Sequence, residues 1–354
     1  MPNTRILRYF LWEFCLLVLS GAIALAQDGP MIGQEPDSSS QEQPEKKDEP
    51  VTTFKAGVNV VQLFFNVKDK KGALIPSLTK TDFDVLEDGK PQTIKYFAAE
   101  SDLPLTLGIM IDASGSQQRV LEMEKATGSS FLSEILRDKD LAFVLSFDVN
   151  VDLLQDFTNS VPQLKRALYR ARINEGGGGG GIPGMGGGPV PTVANNPRGT
   201  LLYDAVYLAA HDELAQQVGR KAMILLTDGE DQGSQLKIKD AIEAAQKADS
   251  ICYVLLIADR GFYFGQGMGY SGASEMEKMA KETGGRVINV GNNEKKLKEA
   301  FDQIATELRS QYNLGYTPTN TKLDGTFRKV EIKAKGDYKI QARAGYYARA
   351  REEQ

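Results

Sequence analysis

One histidine and two cysteines in 354 residues leave little material for several chemistries. A zinc or iron centre built on imidazole and thiolate lacks its ligands. The single histidine, His211, sits on a helical stretch and reads as a surface or helix-packing residue rather than a base. No Cys-His arrangement and no Gly-x-Ser-x-Gly motif is present, so acyl transfer lacks its parts. Cys15 falls in the N-terminal apolar segment and Cys252 in an apolar run. A mature chain without that segment keeps one cysteine and no internal disulfide, and Cys252 reads as a buried packing residue. A basic excess is also missing. There are 42 Lys and Arg against 47 Asp and Glu, a net charge of −5, which gives no basic face for nucleic acid. After the first 26 residues no stretch is long and apolar enough to span a membrane.

What is present begins with an export pattern. Arg5 and Arg8 form a basic start, Tyr9–Leu19 is mostly apolar, and Ala24-Leu25-Ala26 is a small-x-small cleavage site before Gln27. Residues 1–26 are therefore expected to be a signal peptide, and the mature chain periplasmic or secreted. Glu13 interrupts the apolar region, and the alternative is a chain anchored in the membrane by an uncleaved signal. Residues 27–50 are Gln, Glu, Ser, Pro and Lys with almost no apolar side chain. Such a segment cannot bury enough surface to offset its ordering and is expected to be a disordered linker.

Residues 51–100 switch to period-two patterning. Val61, Leu63, Phe65 and Val67 alternate with other positions, and Phe83 and Val85 flank Asp84. Asp88-Gly89 is a hairpin signal, after which Ile94 and Tyr96 are expected to continue the return strand. These strands are too few to bury two faces alone. The far end of the chain supplies more. Tyr312, Leu314 and Tyr316 alternate, as do Val330, Ile332 and Ala334, and Tyr338, Ile340 and Ala342 follow. The expected arrangement is one small β-sandwich made from residues 51–100 and 312–347, with a separate domain, residues 103–311, inserted between its parts.

In the insert, strand and helix patterns alternate. Leu105, Leu107, Ile109 and Ile111 read as a buried strand, as do Leu141–Phe147, Ala222–Thr227, Ile251–Ala258 and Arg286–Val290, with a short edge strand at Val151–Leu154. Helical spacing covers Arg119–Leu136, Val161–Arg172, Leu201–Leu214, Leu236–Ala248, Ser274–Glu282 and Glu294–Arg309. This alternation predicts an α/β fold with a mainly parallel open sheet flanked by helices. Residues 175–197 are a glycine- and proline-rich insertion. No Gly-Lys-Ser/Thr follows it, so it is not a phosphate loop. Gly261–Gly272, with Phe262, Tyr263, Phe264 and Tyr270, is a second unusual loop, either a contact surface or packed on the domain.

The strand Leu105–Ile111 ends in Asp112, Ser114 and Ser116. In open α/β sheets, ligands bind at the C-terminal edge. Gly199-Thr200 precedes a helical pattern, and Ile224–Thr227 is a second apolar strand, ending in Asp228. Ser116, Thr200 and Asp228 are also residue types that cap helices. Taken together, Asp-x-Ser-x-Ser, a distant Thr and a distant Asp after a strand resemble the metal-ion-dependent adhesion site of the von Willebrand factor type A (VWFA) family. The resemblance covers roughly Leu103–Gln311, and the layout with flanking β segments resembles VWFA-related proteins of acidobacteria. It implies a Rossmann-like VWFA fold, with Ser114, Ser116 and Thr200 as direct metal ligands. Asp112 and Asp228 would bind directly or through water. The Asp-Asp pair that gives some integrins an adjacent second metal site is not matched, since Gln117-Gln118-Arg119 follow Ser116.

Hydroxyl and carboxylate oxygens select hard cations, Mg²⁺ in the first place, with Ca²⁺ or Mn²⁺ possible. Glu230 and Asp231 read as solvated surface, with a place behind the metal ligands as the alternative. The resemblance implies a metal-dependent protein-binding module, for adhesion or scaffolding, and the N-terminal pattern implies its export. A partner protein presenting Glu or Asp would complete its ion site. The expectation is a non-enzyme. The alternatives are a metal-dependent hydrolase and a structural module whose metal only stabilises it.

Overall fold

The computed structural model describes residues 60–99, 103–173, 199–257 and 272–348. The expected signal peptide, the linker, the glycine-rich insertion and the aromatic part of the second unusual loop lie outside these residues.

The described residues open with four strands, Val61–Lys68 (β1), Phe83–Glu87 (β2), Lys90–Gln92 (β3) and Ile94–Ala98 (β4). The α/β part follows: Leu105–Asp112 (β5), Leu121–Ile135 (α1), Leu141–Phe147 (β6), Val151–Thr158 (β7) and Val161–Arg170 (α2). Next come Leu202–Leu208 (α3), continued by a π-helical turn at Ala209–Leu214, then Arg220–Thr227 (β8) and Ile238–Lys247 (α4). Ser250–Leu256 (β9), Gly272–Thr283 (α5), Val287–Asn289 (β10) and Glu294–Arg309 (α6) complete it. The closing strands are Tyr312–Tyr316 (β11), Phe327–Ala334 (β12), Lys339–Gln341 (β13) and Gly345–Tyr347 (β14).

The central sheet has the order β10-β9-β8-β5-β6-β7. Its pairings are parallel except β6 with β7. Every residue of β5, β8 and β9 is buried, because helices cover both faces. On one face Leu107, Ile109 and Ile111 pack with Leu132 of α1, Leu168 of α2 and Phe301 of α6. On the other, Met110 and Leu225 pack with Val206 of α3, Ile242 of α4 and Met276 of α5. Gly108 is needed in β5, since a Cβ there would stand 2.5 Å from the Phe143 ring. The edge strand β7 is twice as long as the Val151–Leu154 pattern and only half-buried. Its outer residues lack the apolar alternation that would mark them.

Both ends of the described chain meet in two antiparallel sheets, β13-β1-β11-β4 and β14-β12-β2-β3. Leu63 lies opposite Leu314, and Ile332 opposite Val85. Phe65, Phe83 and Tyr312 form the aromatic centre of the core between the sheets, with ring centroids 5.2–5.6 Å apart. One expectation is corrected. Ile94 and Tyr96 do not continue the return strand from Asp88-Gly89. The hairpin ends at β3, and β4 crosses to the other sheet to pair with β11. A register shift at Gly315/Tyr316 sets Ile94 inward and leaves Tyr96 60 % exposed, because a bulge breaks the period of two.

A buried carboxylate joins these sheets to the α/β part. Glu307 of α6 accepts from Lys68 Nζ and Arg286 Nε, both at 2.8 Å, and from Gln341 Nε2 at 3.2 Å. Asn66 Nδ2 donates to the Glu307 carbonyl at 2.9 Å. The junction lies by the N-terminal ends of β5 and β8, where Arg220 donates to the carbonyls of Leu103 and Leu308. The opposite, C-terminal edge of the sheet is left to the candidate site. Among the described residues no helix is long and apolar enough to cross a membrane.

Candidate metal centre

β5 and β8 run side by side, with Ile111 opposite Leu226, so Asp112 and Thr227 end neighbouring strands. Thr227 Oγ1 donates to Asp112 Oδ2 at 2.7 Å and accepts from Gly229 N at 2.9 Å. Asp112 Oδ1 accepts from Ser114 N at 3.0 Å. The hydroxyls of Ser114 and Ser116 are 3.0 Å apart, and Ser116 Oγ donates to Asp228 Oδ2 at 2.5 Å. Asp228 Oδ1 accepts from Glu230 N at 3.1 Å. Asp112, Ser114, Ser116 and Asp228 therefore stand in one hydrogen-bonded group spanning two strand ends.

Thr200, the fifth residue, reaches this edge through its backbone. Its N donates to the Gln232 carbonyl and its carbonyl accepts from Gln232 N, both at 3.0 Å. Gly199 permits the approach, since a Cβ there would lie 2.8 Å from the Gln232 oxygen. Capping does not explain the hydroxyls. Ser114 precedes a 3₁₀ turn, Gly115–Gln117, without a side-chain capping bond, and the N-caps of α1 and α3 are Val120 and Leu201.

The charge arrangement is unfavourable by itself. Asp112 is fully buried. Burial first, and then the charge of Asp228, push its pKa up to about 7, against hydrogen bonds from Ser114 and Thr227. Glu124, buried in the first turn of α1, is raised well above the ordinary glutamate range by burial and then by Asp112 and Asp228, with Lys125 opposing. Both Glu124 carboxyl oxygens and both Gln117 amide atoms are buried without a hydrogen-bond partner.

These residues fit an oxygen-seeking divalent cation. The donor set is two carboxylates and hydroxyls, with no nitrogen or sulfur ligand, and the buried like charges are what a cation would neutralise. Among the described residues, no group of three or more His, Cys, Asp or Glu is placed to hold a metal by itself.

Sequence reasoning missed three residues here. Thr227 was legible only as the end of a strand; its hydroxyl beside Asp228 was the available signal. Gln117 and Glu124 gave none, because polar residues at a helix start read as solvated. The expectation that Glu230 and Asp231 are solvated surface is also corrected. Both are half-buried loop ties. Glu230 Oε1 accepts from Gly272 N at 2.8 Å, and Asp231 Oδ1 accepts from Tyr203 N at 3.2 Å and Ser234 Oγ at 2.5 Å. His211 is exposed, stacked on Tyr207 and bonded to Asp212. Cys252 is fully buried in β9, and burial pushes its thiol up to about 12.

No family model matches the chain, and no curated protein matches it. Solved structures do. A conserved hypothetical protein, BatB from Bacteroides thetaiotaomicron, is 19 % identical with a TM-score of 0.43, covering 58 % of this chain and 100 % of that one. Proximal thread matrix protein 1 from the mussel byssus, in a form described with a zinc-occupied MIDAS motif, is 14 % identical. Its TM-score is 0.44, over 62 % of this chain and 48 % of that one. The vWF domain of the type V pili tip protein Mfa5 from Porphyromonas gingivalis is 13 % identical. Its TM-score is 0.40, over 58 % of this chain and 95 % of that one.

Proposed function

We propose that this chain is an exported, metal-dependent protein-binding module of the VWFA type and not an enzyme. The observation that carries the reading is the hydrogen-bonded group Asp112–Ser114–Ser116–Asp228 at the C-terminal edge of β5 and β8. With Thr200 on the adjoining loop, these residues would hold Mg²⁺, or Ca²⁺ or Mn²⁺. A bound ion supplies a positive centre with a position left for an acidic oxygen from a partner protein. The chain's own residues do the rest. Thr227 and the Ser114 amide hold Asp112 in place, and the Glu230 amide holds Asp228. The buried strands behind them fix the edge from which the ion is presented. An adhesion or scaffolding role follows from this mode of binding.

A second reading, in which the ion only ties loops together, is favoured by the Ser116–Asp228 bond, which already joins distant segments. For a hydrolase, the described part of the site offers no histidine base, since His211 is exposed on the helix face beside Tyr207.

A pull-down from the organism's envelope fraction separates these readings. The bait is the exported protein, whose intact mass should begin at Gln27. A partner retained with Mg²⁺ and released by EDTA is the expected result. Capture unaffected by EDTA would overturn the metal-dependent reading, and turnover of a captured substrate would overturn the non-enzyme one.

A further inference from the structure

Gln117, Val120, Leu121 and Glu124 follow one another at helical spacing through the turn and the start of α1, and all four side chains are buried. Val120 and Leu121 suit that register, since they pack in the core below β5. Glu124 does not. It is fully buried, and neither carboxyl oxygen has a hydrogen-bond partner. Its neighbour Lys125 turns to Glu122 at 2.7 Å instead. Buried polar atoms in native proteins are normally satisfied, and a group that is not calls for a reason. Gln117 adds a second unsatisfied group directly after Ser116, with both amide atoms buried and unpartnered. The nearest reason is at hand: the charges of Asp112 and Asp228 both reach Glu124.

We infer that Glu124 is a positioning residue of the ion site, a third carboxylate set behind Asp112 and Asp228 whose cost in the metal-free chain is returned when a cation binds. The inference rests on the metal reading proposed above and extends it to a residue outside the adhesion-site pattern. Glu124 acts through Asp112 and Asp228 or through water, and it makes the protein's side of the site more negative than two carboxylates alone. Groups behind metal ligands commonly tune affinity in this way.

The full chain carrying Glu124→Gln, which keeps the shape, and Glu124→Met, which removes the polar group, tests this with Mn²⁺ alone as the probe. Calorimetric titration gives the affinity, and thermal unfolding in EDTA gives the stability of the metal-free form. The expected result is Mn²⁺ affinity weaker by about 10–100-fold in both variants. In EDTA the midpoint of Glu124→Met should be equal to or above that of wild type. A merely structural role would instead lower the midpoint in EDTA, and that result overturns the inference. Unchanged Mn²⁺ affinity in both variants overturns it as well, while wild-type binding shows that the metal reading itself stands. Failure of the wild-type chain to bind Mn²⁺ would bring down the metal reading and the inference together.

Discussion

Thr227 and Asp112 lie 115 residues apart in sequence, yet the Thr227 hydroxyl donates to Asp112 Oδ2 at 2.7 Å. The parallel register of β5 and β8 makes the contact inevitable once Ile111 lies opposite Leu226. Two buried strands of matched length thus deliver a hydroxyl, a carboxylate and then Asp228 to one point on the sheet edge. The sites of two experiments follow from this convergence.

Asp228 is one of two carboxylates expected to hold the ion. Asp228→Ala removes a full anion and should weaken Mn²⁺ binding by at least the ~10–100-fold seen for groups behind a metal's ligands. Asp228→Asn keeps an oxygen and the shape, so it should preserve the fold and still lose affinity. Calorimetric titration of Mn²⁺ into both variants is the measurement. Affinity unchanged in Asp228→Ala would make Asp228 a loop residue, tied to Ser116 and Glu230 without a role at the ion.

The pH dependence of the metal-free protein carries a defined sign. Asp112 is raised from 3.8 to about 7 in the folded chain. The native state therefore binds more protons than the unfolded state within that window, and stability falls as pH rises through it. Thermal midpoints in EDTA should drop between about pH 4 and pH 7, and Asp112→Asn should flatten that drop. Saturating Mn²⁺ should flatten it too, because a cation favours the ionised carboxylates. A wild-type midpoint with the same pH dependence across the window as that of Asp112→Asn would show that Asp112 is not strained by its neighbours.

The flanking sheets offer a test of architecture. β11 lies between β1 and β4, and β12 between β14 and β2. Deleting Tyr312–Gln354 removes an inner strand from each sheet and uncovers Leu63, Phe65, Phe83 and Val85. The truncated chain should aggregate or lose cooperative unfolding. A soluble, cooperatively unfolding fragment of residues 51–311 would mean that the first four strands do not depend on the last four.

Much of the fold was legible because its elements repeat a simple period. Buried parallel strands such as Leu105–Asp112 are continuous apolar runs, and α6 shows its inward Leu297, Phe301, Ile304 and Leu308 at helical spacing. The strand crossover at β4 was not legible. Its bulge leaves Lys95 as an extra residue opposite β11, a strand more than two hundred residues away in sequence, so nothing local announces that Tyr96 turns outward.

For the site, the sequence by itself determined which oxygen donors exist and that Asp112 and Asp228 each end an apolar strand. It thereby set the expectation of a hard cation there, since ligand chemistry is a property of residue type. Only the tertiary structure decided that these strand ends are adjacent, that Thr227 steadies Asp112, and that Glu124 is buried within reach of both aspartates. The physical reason is that hydrogen bonds and charges act over a few ångströms. Sequence spacing does not measure those distances between residues on different strands and helices; sheet order and register do.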